Sequence, residues 1–249
     1  MWVRRVVFYA ALLVAWQLLA GSGLWPAYLF PGPAAVAASL VSGLQKGTIP
    51  MAAAVSLERI AIGYGLSVLA GMSLGVLIGR FRIAEELLGS LMLALQSLPS
   101  VCWLPLAILW FGLSERAIIF VVVMGALFSI TLGVAAGVKN TPPVYVKAAR
   151  NMGSRGLALY SRVIIPAALP TVLAGLKQGW SFAWRSLMAG ELIYYSLSLG
   201  NLLQAGRDLN DAARVMAVML VIMAVGVSCD QLLFAPAERR MRERRGLGA

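Results

Sequence analysis

The chain of 249 residues contains no histidine and only two cysteines, Cys102 and Cys229, and just 12% of its residues are charged. Without histidine there is no imidazole to act as a general base, so the scattered serines have no partner for a nucleophilic relay. Both cysteines lie in apolar runs without metal-ligand spacing, which argues against a structural metal and a disulfide. No phosphate loop of the form G-x-x-x-x-G-K followed by Ser or Thr occurs, so ATP binding of that kind is excluded. No catalytic residue, metal or cofactor is expected.

What is present is apolar. Hydrophobic residues make up 60% of the chain and the mean hydropathy is +0.83, whereas about 25% of residues in an ordinary soluble domain are charged. An all-α integral membrane protein is expected, with about six spans of roughly 20 residues in one domain covering 1–249. The net charge of +11 does not point to nucleic acid, because the aromatic residues fall in apolar runs and do not alternate with the basic clusters. It is a topology signal.

Spans are expected at about 6–20, 57–79, 87–109, 117–138, 171–195 and 215–234. The first is short and follows Arg4 and Arg5, as in a cleaved signal peptide; Trp16 and Trp25 as interfacial anchors favour a retained span, the reading adopted here. A short amphipathic helix is expected over Pro33–Gln45 in the Gly- and Pro-punctuated segment that follows. Gly71 and Gly75 form a small-x-x-x-small pattern suited to close helix packing within one subunit. Pro99 and Pro105 interrupt the third span, and carbonyls freed inside a membrane need protein or water partners. Gln96 and Ser100 therefore either line a pathway or flank a packing kink.

The basic residues sort by side. Arg4, Arg5, Arg80, Arg82, Lys139, Lys147, Arg150, Arg155, Arg162 and the arginines from Arg239 to Arg245 share one side, against Lys46, Arg59, Arg116, Arg207 and Arg214 on the other. The positive-inside rule places both termini and the loop at 139–170 in the cytoplasm. Within the fifth span stand Lys177, Arg185 and Glu191, and ionisable groups at membrane depth are functional candidates by default. Helical geometry puts Arg185, Ser181 and Gln178 on one face. That face either lines a path favouring an anion, through the forked donors of Arg185, or is structural, with Arg185 paired to a carboxylate or to carbonyls. Lys177 is close enough to the inner end to snorkel, and Glu191 either satisfies backbone or pairs with Arg59.

The segment from Lys147 to Pro170 is a markedly basic insert between apolar runs. Pro142 and Pro143 open a short helix, Gly153 is suited to end it in a left-handed conformation, Ser154 is suited to cap a second one, and Pro166 and Pro170 are expected to stop that. Val144, Ala148, Leu157 and Val163 are the expected packing positions. Ala148-Ala149, three residues, Gly153, nine residues, then Val163-Ile164-Ile165-Pro166 resembles the EAA loop of ABC-importer permeases, with Lys147 in place of the usual Glu. The continuation from Pro166 to Ile193, with Ser56 to Arg59 and Leu98 to Leu106, is similar to the nitrate, taurine and aliphatic-sulfonate branch.

The resemblance implies a type I ABC-importer transmembrane domain with a cytoplasmic coupling helix and a family-like core at about 52–236. It also implies that Lys147, Ala148, Ala149, Gly153, Val163, Ile165 and Pro166 belong to the docking loop. The partners implied are cytoplasmic ABC ATPase subunits, an extracytoplasmic solute-binding protein and a second copy of the chain. The substrate implied is a small solute, with an oxyanion as the leading candidate. The rival expectation, an ATP-independent secondary transporter, lacks a clear internal repeat, and a membrane enzyme lacks any nucleophile cluster.

Overall fold

The computed structural model describes residues 2–244, so Arg245 of the basic tail lies outside the described residues. The helices are α1 (Trp2–Gly21), α2 (Pro33–Gln45), α3 (Thr48–Arg80), α4 (Arg82–Gln96), α5 (Ser100–Phe111), α6 (Glu115–Lys139), α7 (Pro143–Asn151), α8 (Gly156–Leu159), α9 (Ile165–Glu191), α10 (Leu199–Asp208) and α11 (Ala212–Cys229). The last continues through a π turn into α12 (Ala235–Arg244). No strand occurs among the described residues.

Four helical stretches are long and apolar enough to cross a membrane: α1, α3, α6 and Ala212–Met241. A fifth crossing results if α4 and α5, bent by 99° at their junction, count as one. That pair occupies the expected third span. Pro99 lacks the N–H that would continue the ladder, and it disfavours helical geometry at Leu98; α5 opens with a 3-10 turn over Ser100–Trp103, and Pro105 stands in the first α-helical turn after it, where no intrahelical donor is required. The expected fifth span is α9, 27 residues long and ending at Glu191 rather than Tyr195. It is too polar to meet the same apolarity criterion, because Lys177, Gln178, Ser181 and Arg185 fall in its middle.

The chain divides into two compact units, one of Met1–Leu57 with Glu191–Gly226 and one of Glu58–Gly190 with Val227–Ala249. In the second, α6 is the axis. It is apolar all round and buried on several faces, from Ala117, Val121 and Val122 to Ile130, Thr131 and Val134, as a membrane helix wrapped by others must be. Four of the glycines of α3, Gly63, Gly71, Gly75 and Gly79, lie on one face at spacings of four or eight, and each of these faces a β-branched side chain of α6. A Cβ added at Gly63, Gly71, Gly75 or Gly79 would lie 2.6, 2.8, 2.5 or 2.8 Å from the nearest atom of Val122, Ile130, Val134 or Val138 respectively. Ser67 fills the remaining place in this stripe and donates its hydroxyl to the Gly63 carbonyl at 2.7 Å. The Gly71–Gly75 pattern thus serves packing within the chain. On another side of α6, Gly133 meets Gly175 of α9 so closely that a Cβ on Gly133 would stand 2.6 Å from the Gly175 Cα.

Two apolar clusters seat the bent pair on α6. One contains Met92 and Phe128 with Ile78 and Ala135, the other Leu104, Ala107, Ala117 and Val121, and Trp103 packs against both. Charges close the edges of the unit. Arg59, 3% exposed, pairs with Glu115 at 2.8 Å in the first turn of α6, and Lys139 pairs with Glu85. Lys177 lies 3.4 Å from Asp230 and 3.3 Å from Glu238, so it is held by two carboxylates.

In the other unit, α2 occupies the range expected for it, and the Trp16 indole of α1 donates to the Pro31 carbonyl at 3.1 Å. α1 has no buried residue. The fully buried Glu191 accepts from the Ser56 hydroxyl (2.9 and 2.8 Å to its two oxygens) and from the Gly200 N–H at 3.1 Å. Ser56 in turn accepts from Leu199 N–H at 3.0 Å, and Ser198 caps the helix by accepting from Asn201 N–H at 3.2 Å. Glu191 thus supplies a carboxylate to the N-terminus of α10, where the helix dipole favours negative charge.

Gly75→Ala is expected to destabilise the protein by about 1–3 kcal/mol through overpacking against α6. Gly65→Ala in the same helix, where nothing lies within 4 Å, should be neutral or stabilising by up to about 1 kcal/mol, since Ala is the better helix former. Thermal unfolding of the two variants in lipid nanodiscs separates them; equal midpoints would contradict this packing.

Candidate functional site

Two places in the second unit combine exposure with built geometry: the segment 139–170, and a cavity beside the proline break.

The segment begins where α6 ends. Pro143 stands in the first turn of α7, where its missing N–H costs nothing. The helix ends as the sequence leads one to expect: Gly153 takes φ of +83°. Its N–H donates to the Arg150 carbonyl at 3.0 Å while Ser154 N–H reaches back to the Ala149 carbonyl at 2.9 Å, a paired closure that satisfies the last carbonyls. Ala149 is buried, but Lys147, Ala148 and Arg150 are exposed. Val144 and Met152 are 70% and 86% exposed. This corrects the expectation that Val144 and Ala148 pack inward. At a spacing of four, Val144, Ala148 and Met152 form one outward apolar strip with Lys147 beside it. Inward anchoring falls instead to Ala149, Leu159 and Ile164.

The second half of the segment also differs from expectation. Pro166 and Pro170 do not stop a helix. Chain 156–164 runs on into α9 through a π turn at Tyr160–Ile164, with Pro166 in the first turn of α9 and Pro170 inside it. A proline ring clashes with the carbonyl four residues earlier, here that of Arg162, and the wider π turn lies where that clash would fall. Val163 is half-buried, while Ile165 and Pro166 are exposed. Leu157 has no described side-chain environment. The Arg80 guanidinium, 4.9 Å from the Tyr160 ring centroid, ties the end of α3 to this turn.

The cavity has a volume of about 310 Å³, at the lower end of the small-molecule range. It brings together three residues that the sequence singles out, Gln96, Ser100 and Arg185. Gln96 Nε2 donates to the Ser129 hydroxyl at 3.1 Å. The Arg185 Nε donates to the Ser181 carbonyl one turn earlier at 3.1 Å, and the guanidinium lies 4.8 Å from the Phe182 ring centroid. Among the described residues no carboxylate pairs with Arg185. Ser181 and Gln178 are exposed on the same face of α9 but are not part of the lining; Ser181 contributes its carbonyl to hold Arg185. Sequence reasoning missed Met124, Gly125 and Phe128 of α6 and Phe182 of α9, which complete the wall. Only Phe182, one helical turn from Arg185, carried a signal. No group of three or more metal-ligating side chains occurs among the described residues.

Helices long and apolar enough to cross a membrane, with a further pair bent at a proline beside an arginine-lined cavity, define an integral membrane protein. Residues 67–243 match the model of the binding-protein-dependent transport system inner membrane component, and the chain belongs to that family. Relatives include a probable ABC transporter permease protein of Brucella melitensis, 30% identical over 96% of this chain and 96% of its own length. A nitrate import permease protein of Leptolyngbya laminosa is 29% identical over 80% of this chain and 71% of its own length. A taurine transport system permease protein of Escherichia coli is 28% identical over 87% of this chain and 80% of its own. The chain is thus a transport subunit of the ABC permease family.

At φ of +83° a β-branched residue is strained, and Gly153→Val is expected to weaken the closure of α7 by about 1–2 kcal/mol. Hydrogen exchange at the Ser154 amide should accelerate accordingly while α6 amides keep their protection; unchanged exchange at Ser154 would show that the closure does not depend on the glycine.

Proposed function

We propose that this chain is the permease of an ATP-driven importer of a small oxyanion, of the nitrate, taurine or sulfonate kind, and that Arg185 contacts the solute on its path. The observation that carries this reading is the cavity that Arg185, without a carboxylate partner among the described residues, lines together with Gln96, Ser100, Phe128 and Phe182. A guanidinium held through Nε and the Phe182 ring can turn its remaining donors to the forked recognition of a planar or tetrahedral anion. The names of the nitrate and taurine relatives support the substrate class.

The chain acts as one permease domain over 1–249, with a core at 52–236, in a pair with a second copy of itself. Both termini and the loop 139–170 face the cytoplasm in the bacterial or archaeal inner membrane. There the exposed strip Val144, Ala148 and Met152, flanked by Lys147, docks on an ABC ATPase subunit. Ala149 and Gly153 set the shape of that element, and Val163, Ile165 and Pro166 join it to α9. Hydrolysis occurs in the ATPase. A solute-binding protein delivers the oxyanion from outside, and ATPase closure biases the spans between two states as rigid bodies.

The test is transport and ATPase activity of the reconstituted complex. Arg185→Ala removes a charge-assisted contact of about 1.5–3 kcal/mol and should lower transport about 10- to 100-fold, with assembly and basal ATP hydrolysis intact. Gly153→Pro should abolish transport and its stimulation of hydrolysis while the complex remains assembled. Normal transport by an assembled Arg185→Ala complex would overturn the solute contact, and transport with no ATPase associated would overturn the coupled importer.

A further inference from the structure

The unit formed by Met1–Leu57 with Glu191–Gly226 contains its own cavity, of about 490 Å³, larger and more polar than the one beside Arg185. Its wall carries Ser39, Ser42 and Lys46 from α2 and its end, Thr48 from the start of α3, and Asp211 and Arg214 around the start of α11. Two cations therefore face one carboxylate. That carboxylate is committed: Asp211 Oδ1 accepts from the Arg214 backbone N–H at 3.0 Å and so caps α11. Among the described residues no carboxylate lies within ion-pair distance of Lys46 or of the Arg214 side chain. Thr48 spends its hydroxyl proton on the Gly43 carbonyl at 3.2 Å; the hydroxyls of Ser39 and Ser42 donate to no acceptor among the described residues.

We propose that this cavity is a second anion site, in which Lys46 and Arg214 hold a singly charged oxyanion with Ser39 and Ser42 as hydroxyl donors. The charge balance selects the ligand. Two cations attract the anion, while Asp211, at the same wall, leaves a net of one positive charge and disfavours a dianion. The volume exceeds that of one water, about 30 Å³, by enough to admit a sulfonate or phosphodiester group with part of its hydration. Arg214 provides a planar fork and Lys46 a mobile point charge, so the site tolerates different oxyanion shapes. A free sulfonate and the phosphodiester of an anionic lipid headgroup share this chemistry. The site has no residue in common with the Arg185 cavity, and it stands whether or not Arg185 touches the transported solute.

The experiment uses the full chain in nanodiscs of phosphatidylcholine alone, titrated calorimetrically with methanesulfonate. In an Arg185→Gln background, which removes the guanidinium proposed to contact the transported solute, saturable binding is expected, weakened at least about tenfold when Lys46→Gln/Arg214→Gln is added and preserved when Lys46→Arg is. Nanodiscs containing phosphatidylglycerol distinguish the source. If the headgroup is the natural occupant, methanesulfonate binding is lost in that background, and native mass spectrometry finds phosphatidylglycerol retained by the Arg185→Gln chain but not by the double variant built on it. If a free oxyanion is, the titration is unchanged by that lipid. The proposal is overturned if the double variant, folded with an unaltered unfolding temperature, binds methanesulfonate like its Arg185→Gln parent. It is equally overturned if binding vanishes with Arg185→Gln instead, or if neither methanesulfonate nor phosphatidylglycerol is bound.

Discussion

The unit built on α6 depends on how closely backbones approach one another. Inside a bilayer the hydrophobic effect gives no reason for one apolar helix to prefer another over lipid, so association rests on contact area and backbone proximity. Along α3, Gly63, Gly71, Gly75 and Gly79 leave notches that Val122, Ile130, Val134 and Val138 fill. The Gly133–Gly175 crossing brings α9 to α6 with no side chain between them. Because these contacts bury α6 on several sides, α9 is held by packing rather than by its own hydropathy. A helix as polar as α9, bearing Lys177 and Arg185, can then be held in the bundle.

The proline break follows from the same constraint. An irregular backbone is tolerated in a bilayer only where protein or water receives its polar groups. The segment between α4 and α5 sits where Trp103, Met92 and Leu104 press it onto α6. There it opens the cavity that Arg185 enters. Lining and bend share one cause: Gln96 and Ser100 flank the kink and line the cavity beside it.

The loop between α6 and α9 shows how an exposed element is kept in shape without a core of its own. Its stiffness comes from a glycine-closed helix, three inward anchors, and an arginine laid on Tyr160. Through the π turn it is continuous with α9, the helix bearing Arg185. A helix stopped at Pro166 would have broken that link.

Much of this was legible in the chain. Composition alone determined a membrane protein, period-four glycines determined where helices touch, Pro99 determined a break, and Gly153 determined the end of α7. Each of these is a local property: transfer energy, side-chain volume, a missing N–H, an allowed φ. The motif spacing at 148–166 likewise led to the family to which the chain belongs. What sequence could not assign was direction. Val144 and Ala148 face outward and Ala149 inward because the first two have no neighbours on their side, which depends on what surrounds the helix. Ser181 and Gln178 share a face with Arg185 yet stay out of its cavity, whose far wall comes from α4, α5 and α6. Glu191 serves α10 because the chain returns to place Ser56 and Gly200 beside it. Likewise Pro166 and Pro170 read as stops, yet the chain runs through both: the π turn before Pro166 lies where its ring would clash, and Pro170 is carried inside α9. Pairings between residues far apart in the chain, and the cavities they enclose, are decided only when distant segments meet, and only the tertiary structure could supply them.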